Sequence, residues 1–474
     1  MNIRWFFKPP AINCGQLKPL PAIDFRVPHP YNSYMDWRKI FGNFPANVFL
    51  GLYIIAFPFH RAVWKLPFFK EKIQPAEFSL AILALYFFYL LFSRRIKYWF
   101  SPFDIPAILW LLANIISNAL VGFNDHLLLE TVKVLAVVLI YFLFRLLMND
   151  SFLDKLTDIF LFSALITSLL AISGSWLSFF GIQTVWVAEM QTYPYIGKIG
   201  RAMAFTSTPN MLGSILMVAL LLKFTQLYKR KAVKKSEIVI LSLCFLAFFI
   251  AISKTILCFL FGFMALIFLF SKKRTILFKT FICGSMAFLS LVYLIGSHFV
   301  FTFELSPRVL DNMKQGHITR SVHNIGPLIA IETSYLTIKS SCLQMVKISW
   351  PWGIGTRNFK LQVPQLKEAG LYNKETMAFD PHCTPLGAIT ELGLLGGIVL
   401  LLFFGQIARG LMKVGREMKY PFHALSLGLT AIFCALILES WVTDIMNFRH
   451  YWLLLAILAY MVHQVEKPEI EKRP

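Results

Sequence analysis

Residues 386–408 have the sequence LGAITELGLLGGIVLLLFFGQIA, in which Glu391 is the only charged side chain. A helix needs about 20 mostly apolar residues to cross the hydrocarbon core of a bilayer, so this stretch predicts a membrane span. The rest of the 474-residue chain is similar, with 57% hydrophobic residues and 15% charged residues. Because soluble chains carry roughly a quarter charged residues, this composition excludes ordinary soluble enzymes and disordered or fibrous proteins. The chain is predicted to be an all-α integral membrane protein.

Further apolar runs bring the predicted number of transmembrane helices to about twelve. With the run above, they lie near 46–59, 75–93, 103–122, 127–147, 156–181, 209–227, 236–252, 255–271, 275–296, 386–408, 420–443 and 450–465. If the N-terminus is cytoplasmic, the short inner loops hold 19 Lys and Arg residues and the short outer loops hold 8. Since Lys and Arg concentrate in cytoplasmic loops, both termini are predicted to be cytoplasmic. The same bias accounts for the net charge of +21, so no nucleic-acid partner is expected.

These spans divide the chain into five parts. Residues 1–45 are a proline-dotted cytoplasmic or interfacial arm, 46–296 carry helices one to nine, 386–465 carry helices ten to twelve, and 466–474 are a cytoplasmic tail. Residues 297–385 form one large amphipathic loop on the outer side, between helices nine and ten. A loop this long in a compact bundle is usually functional, so we expect a partly helical extracytoplasmic subdomain that covers the outer face.

Signatures of soluble enzymes are absent from the sequence. It contains no Walker loop, no His-Glu-x-x-His and no Cys-x-x-Cys, and no Asp-x-Asp pair ends an outer helix, so neither a metal nor a cofactor is expected. Cys342 and Cys383 fall in the large loop, and the sequence leaves open whether they form a disulfide.

One group of polar residues is predicted at the outer membrane surface, ahead of the sixth span. Arg201 precedes Pro209 and Asn210, and proline is favoured in the first turn of a helix. A helix start and a guanidinium together can bind an anion, although Arg201 as a plain interface anchor is the alternative. Lys254 lies between the seventh and eighth spans, where an ordinary snorkelling lysine is again the alternative.

A second group closes the large loop. It begins with WPWGIGTRNF at 350–359, where Gly353 and Gly355 permit a tight turn and Arg357 is a candidate to stack on a sugar. It resumes at His382, directly before the tenth span. Imidazole can accept a proton from a hydroxyl near neutral pH, although an isolated histidine in this position is more often structural.

The remaining ionisable residues are interpreted as structural. Glu391 lies inside the tenth span, where an unpaired carboxylate is costly, so it is expected to bond a neighbouring Arg, Lys or His. Glu130 and Lys133 are three apart on one helix face and predict an ion pair. Glu439 and Asp444 lie near the outer end of the eleventh span, with a structural role preferred over substrate contact.

Three local patterns resemble the O-antigen ligase and O-antigen polymerase superfamily of bacterial envelope glycosyltransferases. One is Arg201 eight residues before Pro209-Asn210, and another is the segment from Pro351 to Phe359. The third is His382 at the end of a large loop, followed by Glu391, Gly393 and Gly396. Their order agrees with that family over about residues 160–460. The sequence departs from it where Lys254 stands in place of the usual arginine.

The resemblance implies a metal-independent, cofactor-free transferase that moves a glycan from an undecaprenyl-diphosphate carrier in the bacterial inner membrane, with the active site facing the periplasm. His382 would activate the acceptor hydroxyl. The diphosphate would be bound by Arg201 with Lys254, and Arg308 or Arg320 would supply the second contact if Lys254 does not. Supporting roles would fall to Asn210, Gly353, Gly355, Arg357 and Glu391.

Two questions stay open on the sequence alone. The spacing of the residues does not decide between a ligase and a polymerase; on the resemblance alone, the position of the large loop favours a ligase, with lipid A-core as acceptor, over a polymerase that uses another carrier-linked repeat. A twelve-span transporter or flippase of lipid-linked glycans is the alternative from a different class of protein, although polar residues gathered at the outer rim rather than the midplane favour the enzyme.

Overall fold

A computed structural model describes residues 44–61, 64–65, 72–96, 98–182, 184, 186–187, 191–193, 197–228, 230, 232–271, 275–303, 322–374, 378–418 and 422–470. Nearly all of the predicted N-terminal arm lies outside these residues. Arg308 and Arg320 also lie outside them, so the alternative phosphate contacts stay predictions.

The described part of the chain is mainly α-helical. Its helices are α1 (Phe44–Ala56), α2 (Pro75–Phe92), α3 (Asp104–Val121), α4 (Asp125–Leu147), α5 (Asp150–Phe179), α6 (Pro209–Leu227), α7 (Lys235–Ile250), α8 (Thr255–Phe270), α9 (Ile276–His298), α10 (Ser334–Ser349), α11 (Phe359–Glu368), α12 (Thr384–Glu417), α13 (His423–Ser440) and α14 (Arg449–Ile470). Each of the twelve predicted apolar runs falls on one of these helices. The other two, α10 and α11, lie in the predicted large loop.

Within the described residues, eight helices are long and apolar enough to cross a membrane, namely α2, α3, α4, α5, α6, α9, α12 and α13. The structure thus supports an all-α, multi-pass membrane protein, but not the count of twelve spans. The runs assigned to α1, α7 and α8 form helices of 13, 16 and 16 residues, which are short for a hydrocarbon core. Helix α14 has polar residues at both ends that dilute its apolar centre.

The core of the bundle is built from helices that are apolar on all sides. Within the apolar 18-residue stretch of each helix, 78% is buried in α6 and 72% in α13, but only 11% in α9. A helix that is hydrophobic all round belongs in the interior of a membrane bundle. Helix α6 packs against α5, α8 and α13, and α14 packs against α4 and α12. The start of α6, where Asn210 lies, is therefore held on several sides.

Residues 297–385 contain strands as well as the expected helices. Strands β5 (Phe299–Thr302), β6 (Val322–Ile325) and β7 (Leu328–Glu332) form an antiparallel sheet in the order β5-β7-β6, in which Val300 pairs with Ile331. Two hairpins precede it in the chain, β1 (Trp64–Lys65) with β2 (Lys72–Ile73) and β3 (Gln191–Tyr193) with β4 (Gly197–Ile199). Apolar side chains of α10 and α11 form a small core of their own.

The cysteines of this segment are not joined. Cys342 in α10 and Cys383 before α12 are both buried and both free. The disulfide that the sequence left open is therefore not formed in this structure, and the segment is held by its small apolar core and by α10 packing against α12.

Candidate functional site

A cavity of about 510 Å³ collects three of the predicted site residues. Arg201, Asn210 and Lys254 all line it, together with Tyr335 from α10. The rest of the wall is mostly apolar and is formed by Phe248, Phe249, Ile252, Ser253, Thr255, Ile256, Leu257, Tyr293, Val442 and Thr443. The cavity therefore has a cationic part beside an aromatic and aliphatic part.

The guanidinium of Arg201 is fixed in place by hydrogen bonds to protein oxygens. Its Nε donates to the backbone carbonyl of Ala251 at 3.1 Å, and its Nη2 donates to Asn210 Oδ1 at 3.1 Å. Asn210 Oδ1 also accepts from Ser253 Oγ at 3.0 Å. The turn between α7 and α8 and the first turn of α6 thus hold one cation rigidly at the cavity wall.

Lys254 supplies a second cation to the same cavity. Its Nζ lies 5.0 Å from the centre of the Tyr335 ring, within the range of a cation–π interaction. Burial and, to a smaller extent, the positive charge of Arg201 together lower the pKa of Lys254 to about 8. Two neighbouring cations repel each other in a partly desolvated cavity, and a bound anion relieves that repulsion.

His382 lies next to the cavity rather than in its wall. Its ring centre is 5.6 Å from that of Tyr335 and 5.6 Å from that of Phe379, so Tyr335 contacts both Lys254 and His382. Burial lowers the pKa of His382 below its usual 6.5, with an opposing effect from Asp380. The imidazole is therefore neutral near pH 7 and able to accept a proton.

Arg357 belongs to a neighbouring group of carboxylates. Its Nε lies 3.5 Å from Glu130 Oε2, and its Nη1 lies 3.8 Å from Asp380 Oδ2. This places its guanidinium between acidic groups of α4 and of the segment that carries His382. The predicted ion pair of Glu130 and Lys133 is confirmed, at 2.7 Å.

Among the described residues, no cationic side chain forms a hydrogen bond or ion pair with Glu391, contrary to the prediction. Its carboxylate Oε1 has no hydrogen-bond partner among these residues. Its backbone carbonyl accepts from Ser117 Oγ at 2.7 Å and from the amide of Gly355 at 2.9 Å. The neighbouring turn is thus hydrogen-bonded to the main chain of Glu391.

Gly353 and Gly355 lie where the loop enters a break in helix α12. Gly393 interrupts that helix with φ +68° and ψ −155°. Pro351 accepts from the amide of Leu394 at 2.8 Å, and a Cβ on Gly353 or Gly393 would overlap backbone atoms of the other segment. The break leaves backbone N–H and C=O groups of α12 without helical hydrogen-bond partners, and the turn of the large loop supplies partners for them. These hydrogen bonds hold the large loop against the tenth predicted span.

A buried polar network behind the cavity was not foreseen from the sequence. Glu439 accepts from Ser214 Oγ at 2.8 Å and from Thr255 Oγ1 at 3.4 Å, and Thr255 lies 2.7 Å from Ser253 Oγ. His450 Nε2 is 2.9 Å from Ser214 Oγ. Through Ser253 this network reaches Asn210, so it supports the residues that hold Arg201. A carboxylate inside a predicted span, here Glu439, indicates a functional or paired site. Its partners could not be identified from the sequence, because they come from three other helices.

Tyr335 lines the cavity and contacts two predicted site residues, but it was not predicted from the sequence. It lies at the start of α10, within the large loop. Nothing in its sequence neighbourhood indicates a contact with Lys254 or His382, since those residues lie about 80 positions before it and about 50 after it.

No protein-family model and no curated protein matches this chain. The fold and the cavity by themselves define a multi-pass membrane protein with two cations and a neutral histidine grouped at one end of its helices.

Proposed function

We propose that this protein is a metal-independent inverting glycosyltransferase that moves a glycan from an undecaprenyl-diphosphate carrier to the hydroxyl of an acceptor sugar. The favoured form is an O-antigen ligase of the bacterial inner membrane, with lipid A-core as the acceptor. The observation that carries the proposal is the grouping of Arg201 and Lys254 in one cavity, with His382 beside Tyr335, whose ring also contacts Lys254.

The cavity has the chemistry that a lipid-linked diphosphate needs. Arg201 presents a planar guanidinium that suits phosphate oxygens, and Lys254 adds a second positive charge beside it. Phe248, Phe249 and Leu257 line the apolar part of the wall, where the first isoprene units of the carrier have a favourable contact surface. A single cavity thus accommodates both the diphosphate and the first isoprene units of the carrier.

The transfer follows from these positions in one displacement. His382 accepts the proton of the acceptor hydroxyl as its oxygen attacks the anomeric carbon. The bond between that carbon and the diphosphate oxygen breaks on the opposite face, and the diphosphate leaves with the electron pair. Arg201 and Lys254 stabilise the charge that develops on the leaving group, so the reaction proceeds without a metal ion.

The proposed topology has twelve spans, with both termini in the cytoplasm and the cavity on the periplasmic side. Its support is the excess of Lys and Arg in the inner loops and the agreement of all twelve apolar runs with helices. The shorter helices α7 and α8 form a hairpin whose turn carries Lys254 at the cavity. Cysteine accessibility at exposed positions of successive loops tests this arrangement.

The decisive experiment is transfer by the purified protein from an undecaprenyl-diphosphate-linked glycan to lipid A-core, in the presence of EDTA. The variants His382→Ala and Arg201→Ala are each expected to lose transfer. His323→Ala is the matched control, since His323 lies in the sheet of the large loop, is 53% exposed and bonds Glu332. Wild-type transfer by His382→Ala overturns the assignment of the base. Transfer only to another carrier-linked glycan instead identifies a polymerase.

A further inference from the structure

The turn that joins α10 to α11 carries large apolar side chains that the rest of the protein does not cover. Ile348, Trp350 and Trp352 are 68%, 54% and 62% exposed, and Leu343 of α10 and Leu361 of α11 are also exposed. Contact of such side chains with water is unfavourable, and a group of them on a surface usually marks an interaction site. This turn therefore favours surroundings less polar than water.

Hydrogen bonds fix the depth of the turn against α3. The carbonyl of Trp352 accepts from Ser117 Oγ at 3.3 Å, and the amide of Gly355 donates to the same hydroxyl oxygen at 3.2 Å. Ser117 lies four residues before the last residue of α3, Val121. Since α3 is long and apolar enough to cross a membrane, the backbone of the turn lies about 6 Å inside the end of a span.

The other side of the turn is fixed against α12. The carbonyl of Pro351 accepts from the amide of Leu394 at 2.8 Å, and Leu394 lies ten residues after the first residue of α12. The side chain of Leu394 is itself exposed, as a lipid-facing position of a membrane-spanning helix is expected to be. Trp352 is not among the residues that line the cavity of Arg201. At this depth the surroundings outside the protein are the headgroup and acyl-chain region of a bilayer.

The residue types of this segment suit that region. Tryptophan is enriched where acyl chains meet headgroups, because its ring is apolar and its indole N–H is polar. Residues 333–367 contain five Lys or Arg residues and no Asp or Glu, so no acidic side chain of this segment repels anionic headgroups. Lys347 and Lys360 are exposed, and each is followed directly by an exposed apolar residue, Ile348 and Leu361.

We propose that this turn, with the adjoining ends of α10 and α11, anchors the large loop in the membrane. Ile348, Trp350 and Trp352 enter the boundary between headgroups and acyl chains, and the partner is the phospholipid leaflet on the side of the large loop. The anchor does not depend on the proposed transfer reaction. Its consequence for the fold is that α10, which carries Tyr335 near its other end, is held at a fixed depth relative to the bilayer.

The first test measures contact with lipid through tryptophan fluorescence. The full-length protein is reconstituted into vesicles of phosphatidylglycerol and phosphatidylethanolamine, with and without phosphatidylcholine brominated near the headgroup end of its acyl chains. The double variant Trp350→Phe with Trp352→Phe is expected to lose part of the fluorescence intensity that the brominated lipid quenches in the wild type. Trp110→Phe is the control, since Trp110 is buried and its removal is expected to leave the quenched intensity unchanged. Equal quenched intensity in the wild type and the double variant overturns the proposal.

The second test measures access of water to the same turn. Trp352→Cys and Asn324→Cys are compared for reaction with a charged thiol reagent on both sides of the vesicle membrane, after subtraction of the reaction of the parent protein. Asn324 is an exposed polar residue of β6, at the edge of its sheet, so Asn324→Cys is expected to react freely. Trp352→Cys is expected to react about tenfold or more slowly in vesicles, because its thiol lies in the bilayer interface, and at a similar rate after unfolding in SDS.

Two outcomes of the thiol measurement contradict the anchor. Similar rates for Trp352→Cys and Asn324→Cys in vesicles would place the turn in water and overturn the proposal. A disulfide-linked dimer of Trp352→Cys, or slow reaction without quenching of the wild type by the brominated lipid, would identify protein rather than lipid as the neighbour of the turn and would also overturn it.

Discussion

The imidazole ring of His382 lies 5.6 Å from the phenol ring of Tyr335, with their planes inclined by 46°. The same phenol ring has the ammonium of Lys254 5.0 Å from its centre. Tyr335 lines the same cavity as Asn210, which accepts from Arg201. One side chain of the large loop therefore contacts both the proposed base and one of the proposed phosphate ligands, Lys254, and the spacing between these two depends on its ring.

Replacing Tyr335 separates the role of the ring from that of the hydroxyl. Tyr335→Ala removes the aromatic surface between Lys254 and His382, and we expect kcat/KM for the lipid-linked donor to fall about tenfold or more, given a cation–π contribution of about 1–2 kcal/mol. Tyr335→Phe keeps the ring and removes only the hydroxyl, so it is expected to stay within about threefold of the wild type. Steady-state transfer assays measure both. Equal losses in the two variants would show that the hydroxyl, rather than the ring, is the important part.

The pH dependence of transfer is predicted to be bell-shaped. His382 must be neutral to accept a proton, and burial keeps its pKa below 6.5, so activity falls only as the pH drops below that value. Lys254 must be charged to hold the diphosphate, and its pKa of about 8 means that activity falls as the pH rises through about 8.

The substitution Lys254→Arg tests the alkaline side of this profile. Because arginine stays protonated throughout the measurable range, the variant is expected to keep its activity above pH 8. Lys339→Arg is the control, since burial also lowers the pKa of Lys339 but it does not line the cavity. An alkaline limb that persists in Lys254→Arg would assign that limb to another group.

The positions of the apolar helices were predictable because a run of apolar residues is a local feature of the sequence. A bilayer requires a run of apolar residues of fixed length, and all twelve predicted runs coincide with helices. The length of the apolar runs that form α7 and α8 did not predict whether each helix crosses the full bilayer. Two helices of 16 residues are short by that measure, and their fit to the membrane depends on packing against neighbouring helices.

The candidate site was predictable only in part, because its contacts join distant segments. Asn210 and Lys254 stood out because each lies at the end of an apolar run, and Arg201 because it shortly precedes the run that contains Asn210. The structure gathers all three in one cavity. Tyr335 gave no such signal. The surroundings of Glu391 were not predictable, because the break at Gly393 in its own helix brings the loop turn against the main chain there, and no side-chain pattern reveals such a break.

The contact between the large loop and the broken helix α12 is predicted to tolerate no side chain at Gly393 or Gly353. Both have positive φ, +68° and +80°, and an added Cβ would overlap backbone carbonyl atoms. Gly393→Ala is therefore expected to reduce the free energy of unfolding by about 3 kcal/mol or more, from backbone strain together with the steric overlap.

Thermal unfolding in detergent measures this effect, with Gly405→Ala as the matched control. Gly405 lies in the same helix with nothing within 4 Å of an added Cβ, so alanine there is expected to leave the stability unchanged or raise it by about 0.5–1 kcal/mol. Similar unfolding temperatures for Gly393→Ala and the wild type would contradict the described docking of the loop.

The last prediction concerns the sign of charge in the first cavity. Asn210→Asp changes almost no volume and keeps an oxygen to accept from Arg201, which now pairs with a carboxylate instead of an amide. We expect the fold to be as stable as the wild type. Donor affinity is expected to fall on the order of 100-fold, because the new negative charge lies about 3 Å from the guanidinium that would bind the diphosphate.

Two further measurements make the Asn210→Asp result specific. The alkaline limb assigned to Lys254 is expected to move to higher pH, since a nearby carboxylate favours the charged ammonium. Asn47→Asp changes the same residue type between α1 and α5, where Asn47 bonds Ser151, and should leave transfer unaltered. Undiminished donor binding by a well-folded Asn210→Asp protein would mean that the carrier diphosphate does not bind beside Arg201, and the proposed site of transfer would then have to lie elsewhere.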